Sequence, residues 1–327
     1  MNSKTIYVIL AVAIAMTLVT ASIPTPAFSQ VENGQSKTLR IGYFPNINHA
    51  QAVIGLGRGD FQKALGDNVE VKTQIFNAGP AAIEALFANQ IDVTYVGPGP
   101  AINGYARSGG EALRIISGAA SGGAVFVVRN DSGINSPQDL ANKKFATPEL
   151  GNTQDIALRN YLLDNGLNTK EKGGNVEVLT AKNPDIVTLF LTKQIDGAWV
   201  PEPWGETLVK GGGKIFVDER DLWPPEGEFV TSNIIVRPDY LQNNPDVIKK
   251  LLEAHINVTN WINSDKTAAI EAFNVELQKL TQKTIEEDVL NASLSRIDFT
   301  YDPIRLSLFQ DASDAYNLGF LPENPDV

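Results

Sequence analysis

The chain has 327 residues, with 38 Asp and Glu against 27 Lys and Arg, a formal charge of −11, two His and no Cys. That length allows two domains, and 43% apolar with 20% charged residues describe a folded chain. The acidity argues against nonspecific nucleic-acid binding, the lack of Cys excludes disulfides, thiolate catalysis and Cys-ligated metal centres, and two His cannot make an all-His metal site.

Lys4 precedes an apolar run from Ile6 to Val19 that only Thr17 interrupts. The run is too short to span a membrane, which takes about 20 residues, but suits the core of a secretory signal. Pro24 and Pro26 then stop any helix, and Ala27-Phe28-Ser29 offers small residues for cleavage before Gln30. Residues 1–29 are therefore read as a signal peptide and 30–37 as a tether, which places the rest outside the cytoplasm; an uncleaved anchor would do the same. Cleavage would remove Met1 and Met16, the only two Met, and leave an exported chain without sulfur.

An internal repeat sets the architecture. Pro80–Asp92 aligns without gaps on Pro184–Asp196 at an offset of 104, and both segments end in Gln-Ile-Asp. Each opens with Pro, whose missing N–H costs nothing at a helix start, and continues with apolar residues at helical spacing. Strands are expected at Leu39–Phe44, Val69–Phe76 and Val93–Val96, with helices near His49–Arg58 and from Pro80. The second copy has strands at Lys143–Thr147, Val176–Leu179 and Gly197–Val200, with helices near Thr153–Asn165 and from Pro184. Strand–loop–helix–strand–loop–helix–strand therefore occurs twice, and each copy reads as a parallel α/β sheet. Val125–Arg129 and Phe229–Val236 are extended and connect the copies. Beyond Arg237-Pro238 the pattern is helical, and this tail is expected on the first copy. The division is 38–125 plus 237–327 for lobe 1 and 126–236 for lobe 2, joined by two crossing strands that allow closure on a cleft.

Ligands of open parallel sheets bind outside the carboxyl ends of the strands, where helix N-termini also point. Five loops qualify: 45–49 with Asn46 and His49, 77–80 with Gly79 and Pro80, 97–100 with Pro98, 151–155 with Thr153, Gln154 and Asp155, and 201–204 with Glu202 and Trp204. Ser121 and Gly122, in a run of small residues, are added at the hinge. A helix N-terminus carries about half a positive charge and free N–H groups, so several together favour an anion. Each loop also has a plainer reading as turn, cap or interlobe core. Catalysis is hard to assemble: there is no Gly-x-Ser-x-Gly elbow, no P-loop and no His-Glu-x-x-His. Glu202 with Asp155 is the sole carboxylate pair on offer for a hydrolase, and no enzyme and no cofactor are expected.

The same residues carry a family likeness. Leu39–Pro45, Phe76–Pro80, Tyr95–Pro98, Ala146–Gln154 and Gly197–Trp204 resemble the periplasmic solute-binding components of ABC importers, in the aliphatic-sulfonate, nitrate and taurine branch and nearest its aliphatic-sulfonate group. The likeness covers 38–327 in order. It implies an α/β type II periplasmic-binding-protein fold whose two lobes close on a solute and present it to a membrane permease. The positions it assigns to the anion are Asn46, His49, Gly79, Pro80, Thr153, Gln154 and Glu202-Pro203-Trp204. The branch also holds binders of bicarbonate and thiamine-pyrimidine precursors. None of the five loops contains Arg or Lys, so an anion would be held by backbone N–H groups, side-chain amides and helix dipoles, and a cationic or neutral ligand met by Glu202 and Asp155 stays open as the alternative. The resulting expectation is a monomeric, non-enzymatic receptor for an alkyl sulfonate, with Trp204 and Phe44 covering the apolar tail and sulfur uptake as its role.

Overall fold

Two sheets carry the chain. The computed structural model describes residues 37–223 and 227–323; the expected signal segment lies outside them. Strands β1 (Lys37–Tyr43), β2 (Val69–Ile75), β3 (Val93–Val96) and β4 (Arg114–Gly122) precede β5 (Ala124–Arg129), β6 (Lys144–Thr147), β7 (Glu177–Thr180), β8 (Gly197–Pro201) and β9 (Gly213–Asp218). They are followed by β10 (Val230–Val236) and β11 (Ile297–Phe299). The first sheet has the order β11-β4-β10-β3-β1-β2 and the second β7-β6-β8-β5-β9. In each, the outer three strands are parallel and the next is antiparallel to them. Both sheets are thus mixed, where the repeat alone suggested parallel ones.

The repeat is visible in the hydrogen bonding. Asp92 donates its N–H to Arg40 O at 2.9 Å, and its carboxylate accepts Arg40 N–H at 2.9 Å. Asp196 does the same with Lys144, at 2.7 and 2.9 Å. Arg237 N–H donates to Asp92 O and Arg129 N–H to Asp196 O, so each Asp also holds the end of the antiparallel strand. Asn89 and Lys193, three residues earlier, both adopt the left-handed conformation, at φ 57° and 58°. The Gln-Ile-Asp ending is therefore a device for setting strand register. It lies at the opposite ends of the strands from the loops expected to bind ligand.

The crossings differ from the expected ones. The chain leaves the first sheet at Gly122-Gly123, which have φ of 72° and 74°. A Cβ on Gly123 would lie 2.2 Å from Ile297, and one on Gly122 would lie 2.4 Å from Arg296 O, so both positions require glycine. Val230–Val236, placed in lobe 2 by the sequence division, instead lies in the first sheet between β3 and β4. There it pairs antiparallel with β3 on one side and along β4 on the other. In each sheet the antiparallel strand beside the parallel three, β10 or β5, is thus the first strand after a crossing from the other sheet.

The tail packs on the first sheet. Val247, Leu251, Val258 and Ile262 of helix Pro245–Ser264, with Phe273 and Leu277 of helix Lys266–Thr281, are buried with Leu39, Ile41 and Tyr95. Side chains of this kind contribute about 1.5–3 kcal/mol each on burial. The last helix, Arg305–Asn317, contacts helix Pro98–Arg107 beside the first sheet and helix Thr153–Asp164 beside the second.

Asp92 is fully buried with Arg40 at 2.5 Å and Arg237 at 3.5 Å, whereas the Asp196 side chain is 23% exposed. Asp92→Ala is expected to cost about 3–5 kcal/mol by denaturant unfolding, and Asp196→Ala clearly less, because Asp92 is itself fully buried and bonded to both the backbone and the guanidinium of Arg40, whereas Asp196 is part-exposed and meets Arg129 only at 3.5 Å.

Candidate functional site

Each of the six parallel strands delivers a loop to one place. Phe44, Asn46, Asn48 and His49 follow β1; Asn77, Ala78 and Gly79 follow β2; Gly97 and Pro100 follow β3. Pro148, Asn152, Thr153 and Gln154 follow β6, Asn183 follows β7, and Pro201 ends β8. Thr231 of β10 completes a cavity of about 20 Å³, the space of one or two waters.

Four helices start at its wall: Gly79–Phe87, Pro98–Arg107, Thr153–Asp164 and Asn183–Leu191. Their first N–H groups have no partner within the helix, and each dipole adds positive potential at its start. No Lys, Arg, Asp or Glu lines the cavity among the described residues. Burial lowers the His49 pKa to about 3, so its imidazole is neutral. Asn48 Oδ1, His49 Nδ1, Thr153 Oγ1 and Asn183 Oδ1 are buried without a hydrogen-bond partner. Buried polar groups are ordinarily paired, so four together mark a place built to meet a polar molecule. A wall of helix starts and neutral polar side chains suits a small anion.

The lobes are closed over it. Ile47 N–H donates to Glu202 O at 3.2 Å, Trp204 Nε1–H to Asn46 Oδ1 at 2.9 Å, and Asn77 Nδ2–H to Pro148 O at 3.4 Å. A Cβ on Gly97 would lie 2.3 Å from Thr153 Oγ1, and one on Gly99 would lie 2.8 Å from Ile156. Gly79 is equally constrained, since a Cβ there would lie 2.3 Å from Pro100.

Of the residues expected to hold ligand, Asn46, His49, Gly79, Thr153 and Gln154 line the cavity. Pro80 and Pro98 stand one residue from lining positions and help start their helices. Asp155 is turned inward, accepting from Thr147 Oγ1 at 2.9 Å, Gly151 N–H at 2.9 Å and Arg159 Nε at 2.8 Å; it shapes the loop that carries Thr153. Glu202 is held by Arg296 Nη1 at 2.7 Å, Glu206 N–H at 2.9 Å and Ser293 Oγ at 3.1 Å, and its pKa is raised by burial. Trp204 stands outside, across its bond to Asn46. Ser121 Oγ accepts from Phe229 N–H at 3.3 Å and Gly122 O from Thr231 Oγ1 at 2.7 Å, both at the crossing. Sequence reasoning missed Asn183, yet the offset of 104 places it opposite Gly79, so the repeat itself held the signal.

Gly97→Ala would keep the lobes from meeting at Thr153. Its radius of gyration in small-angle scattering should exceed that of the parent, with unchanged circular dichroism.

Residues 32–275 match the NMT1-like family. A Brucella abortus protein described in general terms as a binding protein is 26% identical over 280 residues, 85% of this chain and 82% of its own. The taurine-binding periplasmic protein of Escherichia coli is 24% identical over 200 residues, 60% of this chain and 58% of its own. In structure, the alkanesulfonate-binding protein SsuA of Xanthomonas axonopodis bound to MOPS superposes with a TM-score of 0.73 at 18% identity, over 88% of this chain and 95% of that one. The match over most of its length and the paired sheets around one cleft agree: the chain belongs to the NMT1-like family and has the two-lobed periplasmic-binding-protein fold.

Proposed function

We propose that the protein is an extracytoplasmic solute receptor of an ABC importer, closing on a small sulfonate and passing it to a membrane permease. The observation that carries this reading is a cavity walled by four helix starts and four unpaired buried polar side chains, with no charged side chain on it among the described residues. Sulfonate is a fixed anion with three acceptor oxygens, and fixed dipoles hold such a group without a counter-ion. Family membership and the sulfonate-binding relatives support the same class. The inner cavity has room for the acid group alone. A larger space of about 410 Å³ adjoins it through Asn46, Asn77 and Asn183, with Trp204, Val187, Leu277 and Ile285 on its walls, and would take the tail. Phe44 faces the inner cavity and Trp204 the outer one, so the two aromatics divide the work expected of them jointly.

A second reading rests on the small inner volume: nitrate or bicarbonate fits it with no tail at all. The hydrolase reading lacks support, because Asp155 and Glu202 are each bonded to an arginine and neither lines the cavity.

A thermal-shift screen of taurine, longer alkyl sulfonates, nitrate, bicarbonate and a pyrimidine decides among these. A ligand at 100 times its dissociation constant stabilises by about 2.7 kcal/mol. A shift that grows with alkyl length supports the sulfonate; a shift with nitrate alone supports the small oxyanion; a pyrimidine alone overturns both. Thr153→Val should lower affinity for the responding anion by about 1–3 kcal/mol in calorimetry, since it leaves the volume and removes the hydroxyl.

The pH dependence separates dipoles from charge. Were His49 the counter-charge, affinity would fall as pH rises through about 6.5. With its pKa lowered to about 3, affinity should not fall between about pH 6 and 8.

A further inference from the structure

A half-open cleft of about 200 Å³ lies between helix Thr153–Asp164, the turn Glu219–Leu222 and the last helix, Arg305–Asn317. Asp164, Glu219, Asp311 and Asp314 face it, and no Lys or Arg lines it among the described residues. Two of these acids have protein partners: Trp199 Nε1–H donates to Glu219 at 2.7 Å, and Gln310 Nε2–H donates to Asp314 at 2.9 Å. Asp311 is different. It is 7% exposed, and its Oδ2 is buried with no hydrogen-bond partner. An ionised carboxylate left so is unfavourable by several kcal/mol unless a cation or a proton joins it.

The remaining walls narrow the class of cation. Ile156, Tyr161 and Trp223 line the same space, which suits methylene groups as well as charge. No group of three His, Cys, Asp or Glu is placed to ligate a metal among the described residues. The carboxylates therefore lack the converging set that a bare metal ion takes, and apolar walls beside them suit a donor that carries N–H bonds on a carbon chain. An ammonium group has three.

We propose that this cleft binds a small organic ammonium ion, with its N–H groups on Asp311 and neighbouring carboxylates and its carbon chain against Tyr161 and Trp223. Burial and mutual repulsion lift Glu219 to about 8 and Asp311 well above the ordinary carboxylate range, so near neutral pH a bound ammonium ion would displace protons from these groups. The site is separate from the anion cavity but shares a helix with it. Thr153 begins that helix at the anion, and Asn160 and Asp164 lie near its other end at the cleft, where the helix dipole favours positive charge.

The test is calorimetric titration of the protein with 1,4-diaminobutane at low salt and about pH 8.5, where the carboxyl groups are more fully ionised. Calcium chloride and tetramethylammonium, which lacks N–H groups, are the comparators. Saturable binding of one diamine per chain is expected, weakened about tenfold or more by Asp311→Asn and by Glu219→Gln, with the response to taurine unchanged. Gln at 219 still accepts from Trp199, so this variant keeps the test decisive if Asp311→Asn does not fold. No saturable heat, undiminished binding by the folded variants, or tighter binding of calcium or tetramethylammonium would overturn the assignment.

Discussion

The unpaired N–H groups of helix first turns are the constraint on which the rest depends. A helix that follows a parallel strand starts at the strand's carboxyl end, so two sheets facing each other aim several starts at a shared space. Here four of them meet at a cavity that no charged side chain lines among the described residues, and the buried His49 is neutral. The helix starts therefore add positive potential at this cavity without a cationic side chain among the described residues. A net charge of −11 is no obstacle, because a local dipole acts over a few ångströms while exposed surface charges are screened over about 8–10 Å.

Closure depends on close approach as much as on attraction. Gly97 and Gly99 admit Thr153 and Ile156 at distances that a methyl group would block, and Gly122-Gly123 takes the chain between the sheets where Ile297 and Arg296 press against it. Charged residues near the cleft serve this framework. Asp155 and Arg159 hold the loop that presents Thr153, and Glu202 with Arg296 joins the end of β8 to the segment before β11. Their charges are consumed by one another, which leaves the cavity to neutral groups.

Much of the plan is legible in the chain. The 104-residue offset foretells two similar lobes, and its physical meaning is local: Asp92 and Asp196 close the same backbone ring with Arg40 and Lys144. Loop chemistry likewise marks Asn46, His49, Gly79, Thr153 and Gln154 as residues near the strand ends, and all five line the cavity. Asp155, Glu202 and Trp204 belong to the same loops but are directed elsewhere. Neighbours in sequence there point in different directions, and only their partners (Arg159, Arg296 and Asn46) reveal which.

The sequence by itself determined the doubling of the α/β unit with its six parallel strands, the family and the absence of cations from the loops at the strand ends, because these follow from local pattern and residue type; the strands Gly213–Asp218 and Ile297–Phe299 were not foreseen. Tertiary structure alone decided that Val230–Val236 joins the first sheet, that the inner cavity is no larger than an acid group, and that Asp311 faces other acids across a second cleft. Each of those depends on contacts between residues far apart in the chain. Strand pairing, enclosed volume and charge juxtaposition are properties of the packed molecule and leave no local trace in the order of its residues.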